Sequence, residues 1–353
     1  MHITSLADNS LFIFQSSGTI IYLLLYVDDI IVIGNNSSQV ALLITTITTL
    51  SQMFELKDLG PLHYFLGIQI SYSKHGITLT QTKYAFDVLH RFNMENSKLV
   101  KTPCCSFSRL VPHSGVALFD PIVYRSMVGA LQYFTFTRPD LAFSVHQLCQ
   151  FMSKHTSVHL EATKPVLRYL RGTLHHGIFF SPGPLTLTIF SDVDWVGDHT
   201  DRHSTTGLLV FLGPNPISWS TKKQNTVSRS STKAKNRALD TSTAELSWLH
   251  ILFKELKLFL PYVPVIWCDN VSAIALSANP IFHSRTKHLE VDYHYISEKV
   301  LRKDLKVGFV FGKDNLVDIF TKPLPAPPFI FFHSKLLVDS SPYCLRGDVE
   351  DEA

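Results

Sequence analysis

Residues 185–223 read LTLTIFSDVDWVGDHTDRHSTTGLLVFLGPNPISWSTKK, and they set the architecture of the C-terminal half. Leu185, Leu187 and Ile189 alternate with Thr186 and Thr188, which predicts a strand that ends in SDVDW. The runs GLLVFLG and ISWSTKK predict two further strands. The three strands are expected to form a meander.

The residues that follow predict helices on this sheet. A long helix is expected from about 231 to 256, then a strand in PVIWCDN, a helix in VSAIALSA and a helix near 290–302. A strand in KVGFVF and a short terminal helix in NLVDIFTK complete the pattern. The fold class is therefore α/β (α+β), with a mixed five-stranded sheet.

The residues that precede it predict a second sheet and a helical region. Residues 11–34, LFIFQSSGTIIYLLLYVDDIIVIG, predict three short antiparallel strands with turns at Ser16-Ser17-Gly18 and near Asp28-Asp29. A helix at 39–53, a strand pair within 63–82 and a helix at 81–93 follow. A linker is expected at 100–121, then helices at 122–136, 140–153 and 157–172, with a boundary at 181–184.

Composition favours a folded intracellular protein. The 353 residues are 45% hydrophobic and 17% charged, and the net charge is +3, which by itself says little about nucleic acid. Five cysteines without a CxxC pair argue against a metal knuckle or a disulfide framework. No signal peptide is expected, and the apolar run Ile20–Val27 is far shorter than the roughly 20 residues of a membrane helix.

Acidic residues at strand ends are the first candidates for chemistry. Asp28 and Asp29 lie at a tight turn, where they could hold a divalent cation or simply form a solvated turn. Asp192 and Asp269 each end a predicted strand, and Asp318 lies on the terminal helix. Such acids can converge on a metal pair that hydrolyses phosphodiesters, although each one alone is more often a cap or a surface residue.

Eight sequence blocks, in order, resemble the Pol polyproteins of copia-type LTR retrotransposons. They are LLLYVDDIIVIG, FELKDLGPLHYFLGIQI, YRSMVGALQYFTFTRPDLAFSV, VLRYLRGT, SDVDWVGDHTDRHSTTGLLVFLG, ISWSTKKQNTVSRSS, CDNVSAIALSANPIFHSRTKHLEVDYHYI and DNLVDIFTKPLP. The resemblance implies a partial reverse transcriptase (last palm strands and thumb) at 1–100 and a mostly helical connection at 101–184. It implies an RNase H-like domain at 185–325 and a C-terminal tail at 326–353.

The resemblance also implies site residues and a cofactor. Asp28 and Asp29 match the metal-binding acids of the YVDD hairpin. Asp192, Asp269 and Asp318 match three of the four carboxylates with which RNase H domains hold two Mg²⁺ (or Mn²⁺) ions. The fourth is replaced, because the family's SSAEAEYRAL reads SSTKAKNRAL at 230–239, with Lys235 at the position of the ligating Glu and Lys233 at the preceding one.

The ammonium group of Lys235 predicts that Mg²⁺-dependent hydrolysis is lost or nearly lost. It cannot ligate a metal ion, and two unit charges 4 Å apart repel by about 4 kcal/mol at an effective dielectric near 20. Glu245 cannot substitute, because it lies about 15 Å further along the helix and is turned by about 80°. The polymerase site is also expected to be incomplete, since the family's fingers and third palm acid precede YVDD. An upstream Pol segment acting in trans is a possible partner.

The expected macromolecular partner is RNA–DNA hybrid or another nucleic acid. Association with a membrane is not expected. Phosphate-contact candidates are Lys222, Lys223, Arg229, Arg237, Arg285, Lys287 and His288, with His283 beside the last three. Each group could instead be an ordinary solvated face or a polar loop. Three functions stay open: a defective reverse transcriptase/RNase H remnant, a non-catalytic hybrid-binding module, and a working RNase H with a rearranged site.

Overall fold

A computed structural model of the chain describes residues 2–49, 57–104, 110–278, 290–336 and 338–340. The chain divides into two compact units. The first comprises 1–63 and 243–260, and the second comprises 64–242 and 261–353. One long helix, α6 (Ser231–Glu255), contributes residues to both.

The first unit contains a four-stranded antiparallel sheet in the order of the sequence: β1 (His2–Thr4), β2 (Leu11–Ser16), β3 (Thr19–Tyr26) and β4 (Asp29–Gly34). Helix α1 (Ser37–Thr49) follows. The three strands predicted at 11–34 are confirmed, including both turns. The C-terminal half of α6 joins this unit through Glu255, whose Oε1 accepts a hydrogen bond from the Leu6 amide (2.8 Å).

The second unit contains the mixed sheet that residues 185–223 predict. Its strands are β9 (Leu187–Asp194), β10 (Thr205–Leu212), β11 (Asn215–Lys223), β12 (Val265–Cys268) and β13 (Lys306–Phe309), in the order β11-β10-β9-β12-β13. Neighbours β9, β10 and β11 are antiparallel, whereas β12 and β13 run parallel to β9. The predicted mixed five-stranded sheet and the α/β (α+β) class are confirmed.

A second five-stranded sheet in this unit draws strands from distant parts of the chain. It comprises β5 (Tyr64–Phe65), β6 (Ile68–Ser73), β7 (Gly76–Thr80), β8 (His176–Phe180) and β14 (Val338–Ser340), in the order β14-β8-β7-β6-β5. All of its neighbouring strands are antiparallel. The sequence indicated only β6 and β7. Strands β5 and β14 are very short, and β8 pairs with strands that lie far from it along the chain.

Helices cover these sheets. They are α2 (Thr82–Arg91), α3 (Pro121–Phe134), α4 (Ala142–Cys149), α5 (Ser157–Gly172), α7 (Val271–Ala278), α8 (Glu290–Leu301), α9 (Asp318–Thr321) and α10 (Ala326–Lys335). The main core joins the apolar faces of α2 to α5 with Leu209 and Phe211 of β10 and with α9 and α10.

The segment 326–353, expected as a tail, contributes both a helix and a strand. Phe329, Phe332 and Leu336 are buried in the main core, which explains why α10 forms there. Likewise β8 places part of the expected helical connection in a sheet with residues 64–80. The domain boundaries at 100, 184 and 325 remain predictions, and the compact units divide the chain elsewhere.

A glycine lets α9 approach the mixed sheet. Gly207 of β10 pairs in register with Asp192 of β9. A Cβ atom at Gly207 would lie 2.4 Å from Val317 Cγ1 and 2.7 Å from Thr321 Cγ2. Because no real side chain tolerates such distances, only glycine lets α9 pack directly over this position. That packing brings the first residue of α9 to Asp192.

Candidate active site

Three predicted acids meet at one edge of the mixed sheet. Asp192 lies on the central strand β9 and is completely buried. Asp269 directly follows β12, which runs parallel to β9, and Asp318 is the first residue of α9. Because parallel strands present their carboxyl ends at the same edge, the fold brings these residues together as the sequence predicts.

Lys235 occupies the space between two of these acids. Its ammonium donates to Asp192 Oδ1 and to Asp269 Oδ1, the latter at 2.5 Å. The lysine lies near the start of α6, where Ser230 Oγ accepts from the Lys233 amide (3.2 Å) in the manner of an N-cap. Its side chain is only 10% exposed. Lys235, which was predicted to replace a metal-ligating Glu, therefore forms buried ion pairs that bridge Asp192 and Asp269.

A second lysine, which was not among the residues predicted from the sequence, completes the cluster. Lys322 Nζ lies 2.6 Å from Asp318 Oδ1 and 3.5 Å from Asp192 Oδ2. Thr321 Oγ1 donates to the same Asp192 Oδ2 at 2.7 Å. The available signal was the spacing of four residues between Asp318 and Lys322, which pairs opposite charges on a helix. Asp192 thus has partners on both of its oxygens.

The charges of this cluster shift its pKa values. Burial would raise the pKa of Asp192, but the ammonium groups of Lys235 and Lys322 lower it to about 2. Burial would lower the pKa of Lys235, but Asp192 and Asp269 raise it to about 12. Burial and the nearby Asp192 carboxylate raise the pKa of Asp318 to about 6. At neutral pH the Lys235 side chain is therefore a cation with no lone pair for a metal ion.

The residues present do not fit the pair of Mg²⁺ ions that the family resemblance implies. A divalent cation that bridged Oδ1 of Asp192 and Oδ1 of Asp269 would have to take the place of the Lys235 ammonium, and Oδ2 of Asp192 already binds Thr321 and Lys322. The expected fourth carboxylate is absent from position 235, and its replacement repels cations. Within the described ranges, no group of three or more His, Cys, Asp or Glu side chains could hold a metal ion.

Asp28 and Asp29 belong to the first unit. Val27 and Asp28 form the two-residue turn between β3 and β4, in which Val27 has a φ of 50°, and Asp29 begins β4 opposite Tyr26. Both carboxylates are exposed. The predicted hairpin is confirmed, whereas their role as metal ligands remains a prediction.

The predicted phosphate-contact residues fall into three groups. Lys222 and Arg229 are exposed. Lys223 binds Asp198 (2.5 Å) and Asp201 (2.7 Å), and Arg237 donates to Thr226 O and Ser228 Oγ (both 3.0 Å), so both of these side chains also hold loops in place. His283, Arg285, Lys287 and His288 lie outside the described residues.

Comparisons with known proteins identify relatives over nearly the whole chain. Residues 5–106 match the family described as reverse transcriptase (RNA-dependent DNA polymerase). The chain is 47% identical over 96% of its length to the retrovirus-related Pol polyprotein from transposon RE1 of Arabidopsis thaliana, of which it spans 23%.

Among the described helices, none combines the length and apolar character that a membrane crossing requires.

Two solved structures resemble parts of the chain. A foamy viral protease–reverse transcriptase, solved in complex with RNA/DNA hybrid, is 15% identical with a TM-score of 0.42, over 86% of this chain and 37% of its own. The N-terminal RNase H domain of Mycobacterium tuberculosis rv2228c is 12% identical with a TM-score of 0.27, over 39% of this chain and 91% of its own.

Proposed function

Since the chain belongs to the copia-type retrotransposon Pol polyproteins, of the reverse transcriptase and RNase H-like family, we propose that it is a Pol segment with a hydrolytically inactive RNase H-like centre. In a competent centre, carboxylates would hold Mg²⁺ or Mn²⁺ against RNA–DNA hybrid. The observation that carries the proposal is the bridge from Lys235 to Asp192 and Asp269.

Displacement of Lys235 by a metal ion would carry a cost in free energy. A cation entering the site would have to break two hydrogen-bonded ion pairs and leave a buried ammonium nearby. Breaking a buried pair by removing one partner costs about 3–5 kcal/mol. The repulsion between the ammonium and a divalent ion adds to that cost. Hydrolysis that depends on metal ions is therefore expected to be absent.

The second candidate function is a non-catalytic module that binds RNA–DNA hybrid. It is supported by Lys222 and Arg229, which are exposed and have no ion-pair partner within the described residues. Such side chains are suited to contact phosphates, which gives affinity and salt dependence but no sequence preference. Arg285, Lys287 and His288 are further proposed contacts.

A polymerase role is a further proposal for the first unit. We propose Asp28 and Asp29 as metal ligands at an exposed hairpin turn, which would act together with other parts of a Pol polyprotein. The chain spans only 23% of the transposon RE1 Pol polyprotein, so activities of the whole polyprotein are not assigned to it.

The decisive experiment restores the carboxylate. The chain, Lys235→Glu and the double variant Lys233→Glu/Lys235→Glu are incubated with labelled RNA–DNA hybrid in Mg²⁺ and in Mn²⁺. Lys254→Glu, which makes the same charge change at an exposed position of α6, is the matched control. Thermal unfolding with and without Mg²⁺ reports whether each variant is folded.

We expect cleavage by a glutamate variant at position 235 and none by the unmodified chain or the control. Cleavage by the unmodified chain would refute the inactive-centre proposal. If every protein is folded and none cleaves, Lys235 is not the sole lesion, and hybrid binding that weakens steeply with salt then supports the binding module. Absence of any hybrid binding would remove that second candidate.

A further inference from the structure

Two exposed phenylalanines form a pair beside the candidate site. Phe309 ends the edge strand β13, and Phe311 follows it by two residues. Their side chains are 43% and 64% exposed, and their ring centroids lie 5.3 Å apart in an edge-to-face arrangement. We call these two residues the aromatic pair. This arrangement fixes the rings against each other while leaving much of their surface accessible.

The aromatic pair adjoins the acid–lysine cluster. Phe309 pairs in register with Cys268, the residue before Asp269. The chain then turns at Gly312, where a Cβ atom would lie 3.8 Å from Asp269 Oδ2. A strand of nucleic acid held at the cluster would therefore pass close to the exposed rings.

A cationic side chain lies beside the aromatic pair. Lys313 lies two residues beyond Phe311, and both Lys313 and the Asp314 that follows it are exposed. The Lys313 ammonium has no ion-pair partner among the described residues. Lys306 begins β13 three residues before Phe309, so the alternation of side chains along the strand places it on the other face. Lys313 can therefore contact a phosphate beside the rings.

We propose that the aromatic pair, with Lys313, binds single-stranded nucleic acid. Unpaired bases stack on phenylalanine rings, and a phosphate binds the Lys313 ammonium, which is the combination found in proteins that hold single strands. A duplex is a less favourable ligand of this surface, because its bases already stack on one another. The inference rests on the proposed nucleic-acid role and specifies which form of nucleic acid this surface binds.

The test compares strands with and without bases. Fluorescence anisotropy measures binding of the full chain to DNA and RNA oligonucleotides of about 12 nucleotides, a length typical of such sites, and to an abasic strand of equal length. The variants are Phe311→Ala and Phe309→Ala/Phe311→Ala. Phe119→Ala, at a fully exposed phenylalanine in the segment before α3, is the matched control. Thermal unfolding confirms that each variant is folded.

We expect the unmodified chain and the control to prefer a base-bearing strand over the abasic one by at least about 5-fold. Phe311→Ala should reduce that preference and the double variant should abolish it. Lys313→Ala should weaken binding to both strands equally and lower the salt slope by about 0.7. The DNA and RNA arms identify which strand the surface accepts.

An unchanged preference in the double variant, or no preference in the unmodified chain, would overturn the inference. In both cases, binding of RNA–DNA hybrid by the same protein would leave the binding module standing. If neither hybrid nor single strands bind, the binding module and this inference fail together.

Discussion

Arg138 and Asp140 form a buried ion pair in the second unit, with side chains 2% and 0% exposed. Two parallel hydrogen bonds join them, from Arg138 Nε to Oδ1 (3.0 Å) and from Nη2 to Oδ2 (2.8 Å). Tyr169 OH also donates to Asp140 Oδ2 (2.7 Å). Burial would raise the pKa of Asp140, but Arg138 lowers it to about 2. The folded chain therefore holds this carboxylate ionised more strongly than the unfolded chain does.

This shift predicts a defined pH dependence of stability. A lowered folded-state pKa contributes stability that is complete above about pH 4 and is lost as the pH falls through 2. For Asp140 the contribution is about 2 kcal/mol. Urea unfolding of the chain and of Asp140→Asn from pH 2 to 7 should show a stability difference that shrinks by about 2 kcal/mol towards low pH.

A matched control separates this pair from general acid effects. Asp304→Asn alters a carboxylate that is 39% exposed, and its difference from the unmodified chain should change little with pH. A pH-independent difference for Asp140→Asn would contradict the assignment. At neutral pH that variant should be much less stable, because it leaves the Arg138 charge without its partner.

Individual site residues differ in how far the sequence could predict them. Asp192 and Asp269 were predicted at strand ends and Asp318 on the terminal helix, the resemblance selected all three, and the structure brings them together. Lys322 was missed because its place beside Asp192 depends on the packing of α9 against β10. Its pairing with Asp318, four residues away, could have been noticed.

The position of helix α9 depends on a single residue in another element, Gly207 of β10. The helix has only four residues, and it lies against β10 where Gly207 provides the space. Short helices have little intrinsic stability, so packing must hold this one in place. The position of Asp318 and Lys322 thus depends on a glycine in another strand.

Gly207→Ala should displace α9 and destabilise the second unit by about 1–3 kcal/mol, as overpacked core substitutions do. Thermal or urea unfolding measures the change. The matched control is Gly129→Ala within α3, where an added Cβ has no atom within 4 Å. That variant should be neutral or up to about 1 kcal/mol more stable, since alanine favours helix. Equal effects of the two substitutions would refute the close packing of α9.

Elements inside a clear local pattern were predictable, and the others were not. The sequence indicated α6 and the strands β9 to β13, of which the four-residue β12 and β13 lie within the apolar runs PVIWC and KVGFVF. Strands β5 and β14 have only two and three residues, and β8, although as long as the predicted β7, was not indicated. Their pairing depends on partners far along the chain, which local patterns do not encode.

Over the whole molecule, the C-terminal segment completes the second unit. Phe329, Phe332 and Leu336 of this segment are buried in the main core, and β14 pairs with β8. A chain that ends at Pro325 should lose several kcal/mol, because each buried apolar side chain contributes about 1.5–3 kcal/mol. Urea unfolding and limited proteolysis test this against a chain that ends at Ser340. Equal stability of the two chains would show that the segment is dispensable.

The sheet with the strand order β14-β8-β7-β6-β5 has a consequence for synthesis on the ribosome. Strand β7 ends at Thr80, and its partner β8 begins about 100 residues later, at His176. At a translation rate of about 5–20 residues per second, the edge of β7 stays unpaired for roughly 5–20 seconds until β8 has been synthesised. The other edge of β8 then stays unpaired until β14 has been synthesised. During this interval the nascent chain presents open strand edges to other chains. Chaperone capture or slow translation between these strands would thus determine how much protein reaches the native state.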